Sequence, residues 1–130
     1  MALIPRQCLL SGRGQGFSTS NQEIRLKNGS KIIGFSATEP DRLRGPQFHR
    51  AWCDELAAWR YPEAFDQLLF GLRLGANPQC VITTTPKPTD LIRNLLERDD
   101  VHITRGSTFD NAANLAPSAL AALEERYAGT

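Results

Sequence analysis

From Phe48 onward, apolar runs of two different periods alternate along the chain. That alternation restricts the fold more than any other feature. Phe48-His49-Arg50-Ala51-Trp52-Cys53-Asp54-Glu55-Leu56 is short, leans apolar and holds a Trp and a Cys, which suits a buried strand of a parallel sheet. Pro62 then falls at the first turn of a predicted helix over Glu63 to Arg73, with Phe65, Leu68, Leu69 and Leu72 on one face. Gly75 and Asn77-Pro78 stop it. Gln79 to Thr85 reads as a second short strand, broken by Pro86-Lys87-Pro88. Thr89 caps a helix over Asp90 to Arg98, with Leu91, Ile92, Leu95 and Leu96 as its apolar stripe. Val101 to Arg105 reads as a third strand and Ser107 to Asn111 as a polar turn. Pro117 opens a last helix to about Tyr127, ended by Gly129. Three strand–helix pairs in succession call for an α/β fold: a mainly parallel sheet with helices on its faces.

The first part of the chain is of another kind. Glu23-Ile24-Arg25-Leu26 and Lys31-Ile32-Ile33 flank Asn28-Gly29, which predicts an N-terminal β-hairpin with a type I′ turn. Ser11-Gly12-Arg13-Gly14-Gln15-Gly16 has the glycines of a phosphate loop. It lacks the Lys and Ser/Thr that such a loop needs next, so it reads as a surface loop. Ala37 to Gln47 is a polar connection in which Pro40-Asp41-Arg42-Leu43 can form one helical turn that presents Arg42 and Arg44. Two solvated arginines, or an arginine offered to phosphate or DNA, both fit that pattern.

A chain of 130 residues is one domain's worth, and its net charge of +1 excludes a uniformly basic binder. No apolar run approaches the roughly 20 residues that span a bilayer, so no membrane role is expected. Cys8, Cys53 and Cys80 are odd in number and lack CxxC spacing, which argues against a disulfide framework or a zinc site and suits a reducing cytosol. His49 and His102 have no ligand spacing.

The chemistry sits at the strand ends. Right-handed crossovers would bring Asp54-Glu55, Thr83-Thr84-Thr85 and Ser107 to Asn111 to one rim, the edge where α/β sheets bind ligands. Asp54-Glu55 has two readings. As a helix cap, the pair exploits the preference of acids for helix N-termini. As a nucleotide site, Asp54 holds Mg²⁺ through water and Glu55 orients and deprotonates the attacking water.

Leu43-Arg44-Gly45-Pro46-Gln47-Phe48, Ala51-Trp52-Cys53-Asp54-Glu55-Leu56-Ala57 and Thr83-Thr84-Thr85-Pro86-Lys87-Pro88 together resemble the ATPase domain of the large terminase subunit. This is the DNA-packaging motor of tailed bacteriophages and gene transfer agents. Ser107-Thr108-Phe109-Asp110-Asn111, Leu115 and Tyr127-Ala128-Gly129-Thr130 are similar to that family too, so the resemblance runs from about residue 20 to the end. It implies an incomplete P-loop NTPase-like (ASCE) three-layer fold. It also implies a Walker B pair, with Asp54 on the metal and Glu55 as catalytic base, and a coupling motif at Thr83, Thr84 and Thr85. Arg44 stands where some members place an arginine finger that enters a neighbouring subunit.

The same resemblance implies Mg²⁺ and ATP as cofactors of the full-length protein. Its implied partners are double-stranded DNA, a portal protein, a small terminase subunit and further copies in a ring, in the cytoplasm of a bacterial host. The family's Walker A loop and nuclease domain have no counterpart in residues 1–130. The chain is therefore expected to be a part of the ATPase domain that binds neither cofactor alone. Two other readings stay open. One is a metal-dependent nuclease using Asp54, Glu55 and Asp110, disfavoured because adjacent strand residues face opposite ways, so that Asp54 and Glu55 share a metal only if the strand ends between them. The other is a non-enzymatic prophage remnant.

Overall fold

A computed structural model describes residues 4–10 and 16–127. The chain divides into two compact units, Met1–Ile92 and Arg93–Thr130.

The first unit holds two sheets. Strands β1 (Phe17–Ser18), β2 (Glu23–Arg25) and β3 (Lys31–Ile33) form an antiparallel sheet in that order. The expected hairpin is β2–β3, with Glu23 opposite Ile33 and Arg25 opposite Lys31. Its turn differs from the type I′ expectation. Gly29 N–H donates to the Leu26 carbonyl at 3.0 Å and Leu26 N–H to the Ser30 carbonyl at 2.9 Å, so the loop has three residues. Only Gly29 of the loop has positive φ, at 85°, where a two-residue I′ turn needs two such residues. Asn28 instead accepts the Ser30 N–H on its side-chain oxygen at 3.0 Å, an Asx turn.

The second sheet is parallel. Strand β4 (Arg50–Asp54) pairs with β5 (Gln79–Thr83) in a register that sets Arg50 opposite Gln79 and Asp54 opposite Thr83. Helix α1 (Glu63–Gly71) connects them. Its Ala64, Phe65 and Leu68 are buried together with Cys53 on β4, Leu56 and Ala57 just beyond it, and Leu43 from the 3-10 turn Pro40–Leu43. Burying side chains the size of Leu or Phe contributes about 1.5–3 kcal/mol each. The opposite sheet face is open, with Trp52 66% and Val81 60% exposed.

Helix α1 stops two residues before the expected Arg73. Phe48 N–H takes the Gly71 carbonyl at 2.8 Å and Leu74 N–H takes the Phe48 carbonyl at 3.0 Å. The chain after Gly71 is thus drawn alongside the entry to β4 before Gly75 is reached. Helix α2 (Asp90–Leu96) begins as expected, with the Thr89 hydroxyl accepting Ile92 N–H at 3.3 Å. It ends at Leu96, short of Arg98.

In the second unit Val101–Arg105 forms no strand, which corrects the three-stranded expectation. Its Val-His-Ile-Thr alternation fits a strand, but a strand exists only through a ladder. Its backbone pairs with no other strand among the described residues, and Ile103 is 43% exposed. A 3-10 helix (Thr108–Asn114) and α3 (Pro117–Tyr127) follow. The ending at Gly129 and most of the glycine loop, residues 11–15, lie outside the described residues. No described helix is long and apolar enough to cross a membrane. The α/β class holds, with one three-stranded antiparallel sheet and one two-stranded parallel sheet.

The α1 terminus makes a direct test. A Cβ on Gly71 would stand 2.7 Å from the Pro46 carbonyl oxygen and 3.2 Å from the Phe48 ring. Gly71→Ala is expected to lower stability by about 1–3 kcal/mol in urea denaturation, although alanine normally favours a helix over glycine.

Candidate functional site

Asp54 is the last residue of β4, and the strand does end between the two acids. Glu55 adopts the left-handed conformation, φ 50° and ψ 47°. Such a backbone costs a non-glycine residue about 1–3 kcal/mol, so the surrounding contacts must hold it. They do so on both sides. Leu56, 1% exposed, anchors the next residue in the core, and Ala57 beside it is buried too. The Glu55 carbonyl accepts Ala58 N–H at 2.9 Å, which opens a 3-10 turn over Leu56–Ala58. Trp59 Nε1 donates to the Asp54 carbonyl at 2.9 Å and closes the bend from the other side.

The three threonines after β5's core each take hold of this bend. Thr83 Oγ1 donates to Asp54 Oδ1 at 2.7 Å. Thr84 Oγ1 accepts Ala57 N–H at 3.0 Å. Thr85 N–H donates to Glu55 Oε1 at 3.1 Å, with a longer hydroxyl contact to Oε2 at 3.5 Å. The register Asp54 opposite Thr83 makes this possible, because two parallel strands that end level deliver their next residues to one edge.

Both carboxylates are exposed, and Asp54 Oδ2 has no hydrogen-bond partner among the described residues. Trp52 lies two residues before Asp54 and so on the same strand face; its Nε1 donates to Thr83 Oγ1 at 3.0 Å. That bond leaves the Thr83 proton free for Asp54, which gives the hydroxyl one orientation. Trp52 and Asp54 line an open groove of about 1810 Å³ between this strand face and the antiparallel sheet. The donor roles of Trp52 and Trp59 emerge only in the structure. The period-2 spacing of Trp52 and Asp54 was the available signal for the first; nothing local marks the second.

Arg44 is placed elsewhere. It lines a separate pocket of about 370 Å³ with Thr38, Asp41, Tyr61 and Gln67, and its guanidinium lies 3.6 Å from Asp41. Arg42 pairs with Glu39 at 3.0 Å. Asp110 serves its own unit. Its Oδ2 accepts Ser107 N–H at 2.5 Å while the Ser107 hydroxyl accepts Asp110 N–H at 3.2 Å, a reciprocal capping box on the 3-10 helix. The Ser107 backbone N–H, and then its hydroxyl, hold the Asp110 carboxyl below the usual carboxylate range. The expectation that Ser107–Asn111 follows a third strand falls, since Val101–Arg105 forms none.

The threonines make separable contributions. Thr84→Val removes the acceptor of a half-buried backbone N–H and is expected to cost about 1–3 kcal/mol of stability. Thr83→Val acts at an exposed contact and is expected to stay within about 0.5 kcal/mol of wild type. Urea denaturation of the two variants side by side measures the difference.

The family described as terminase large subunit, T4likevirus-type, N-terminal, matches residues 13–128 of this chain. Comparison with curated proteins and with solved structures returns no match.

Proposed function

The chain belongs to this family of phage terminase large subunits, to their N-terminal part, and from that membership we propose that it forms part of the ATP-hydrolysing motor that packages double-stranded DNA into capsids. The observation that carries the reading is the threonine latch on Asp54 and Glu55. A helix cap does not need it. Neither carboxylate caps the turn that follows, since the 3-10 turn at Leu56 has no side-chain cap bond. The acids are instead held apart from the backbone they precede and tied to β5.

A carboxylate and a hydroxyl oxygen side by side are the hard donors that Mg²⁺ takes, so Asp54 and Thr83 fit that ion. Mg²⁺ held there would neutralise charge on the phosphates of bound ATP. Glu55 is the base in this reading. Its left-handed backbone turns it away from the strand's alternation, and Thr85 fixes its carboxylate where it can hold and accept the proton of an attacking water. Thr83, Thr84 and Thr85 form the coupling element, because a shift of any of them moves a bond to the acid bend. Arg44, already outside the acid site in its own chain, suits a finger offered to a neighbouring copy in a ring. A portal protein and a small terminase subunit complete the proposed assembly.

The test uses the packaging terminase that carries this chain. Glu55→Gln is expected to lower ATP turnover by about 10²–10⁴-fold with nucleotide still bound, and Asp54→Asn to weaken the Mg²⁺ dependence of binding. Unchanged turnover in Glu55→Gln contradicts the assignment. The chain by itself is expected to hydrolyse ATP negligibly, because the residues assigned here supply the metal and the base and no amide cradle for the phosphates. Robust Mg²⁺-dependent turnover by the chain alone would overturn that half-site reading.

A further inference from the structure

Behind the acid edge, on the covered face of the same two strands, stand two thiols that the proposed function does not use. Cys53 Sγ and Cys80 Sγ are 3.6 Å apart. Cys53 is 1% exposed and Cys80 is half-buried, so any approach comes from the Cys80 side.

The spacing decides what the pair can do. The register sets Cys80 opposite Ala51 and Cys53 opposite Ile82, so the cysteines are diagonal neighbours. Strands about 4.8 Å apart and two residues of rise put diagonal α-carbons about 8 Å apart. A disulfide requires α-carbons within about 7 Å and sulfurs at about 2.0 Å. Direct closure would therefore force the strands to slide. A single atom bonded to both sulfurs asks for no such movement. Bonds of about 2.3 Å to one central atom place two sulfurs about 3.3–3.8 Å apart, from the near-right angle of a pyramidal trivalent centre to the tetrahedral angle, and the separation already present, 3.6 Å, lies within that span. A zinc ion would also need two further ligands, and the neighbours on this strand face, Ala51 and Ile82, offer none. It would also bring charge into an apolar site.

We propose that Cys53 and Cys80 form a dithiol site for one trivalent, singly substituted arsenical, a soft centre that carries its own third substituent and gives a neutral adduct. The inference stands on the β4–β5 geometry and not on the ATPase reading. In the reaction two S–As bonds form and the bond from arsenic to oxygen breaks. Both thiol protons leave with that oxygen as one water, and arsenic stays trivalent throughout. Cys80 attacks first. The hydrogen bond from Cys53 draws its thiol below the usual range, whereas the same bond and burial push the Cys53 thiol up. Cys53 follows once its partner is bound, and the finished adduct ties β4 to β5 just before Asp54 and Thr83.

The probe is phenylarsine oxide, read by intact mass with thermal melting alongside. One adduct per chain with loss of one water is expected, together with a rise in Tm of a few degrees. The adduct should survive excess 2-mercaptoethanol, reverse with dimercaptopropanol and persist in Cys8→Ser, whose cysteine is exposed and apart from the pair. Cys80→Ser and Cys53→Ala should each lower adduct yield at least tenfold. Stripping of the wild-type adduct by the monothiol overturns the proposal without use of any variant. So does an adduct that follows Cys8, or one retained in folded Cys80→Ser.

Discussion

Everything at the acid edge depends on the register of β4 against β5. Asp54 opposite Thr83 means that the two strands stop level, so that the residues after each meet at one place. A slip of one residue would turn Cys53 out of the core and bring Trp52 or Asp54 into it, because side chains alternate along a strand. The buried side of the pair therefore enforces the register, through Cys53 against the α1 core of Ala64, Phe65 and Leu68. The polar side inherits it. The chemistry of the exposed face is thus fixed by packing on the hidden one.

The left-handed turn at Glu55 is the second consequence. A strand continued past Asp54 would send consecutive carboxylates to opposite faces. Breaking it costs about 1–3 kcal/mol, and the burial of Leu56 offsets that by a similar amount. The threonine bonds add direction more than stability, since all but the Thr84 contact lie in exposed positions. A plain cap would have been satisfied by an extended backbone with its side chain turned onto the helix.

Much of this was legible in the sequence, for identifiable reasons. The apolar run ending in Asp54-Glu55, the Phe65–Leu68 spacing and the Thr89 cap are local signals, and each corresponds to an element where it was expected. What was not legible depends on partners distant in sequence. Val101–Arg105 has a strand's alternation and no ladder to join. The end of α1 at Gly71 is set by Phe48, more than twenty residues earlier. The hairpin loop took three residues because the Leu26–Ser30 pair closes it, which Asn-Gly alone does not specify. The conformation of Glu55 had no local mark, as glutamate is not a residue that favours positive φ.

The function proposed above makes the β4–β5 edge a metal-facing acid site organised by the threonines. In the packaging terminase that carries this chain, with nucleotide bound, paramagnetic broadening of backbone amide signals on titration with Mn²⁺, in wild type and in Asp54→Asn, is the test. Early broadening confined to residues 54–58 and 83–85 is expected, with its loss in Asp54→Asn. Broadening spread evenly over the surface acids, or unchanged by Asp54→Asn, would contradict it.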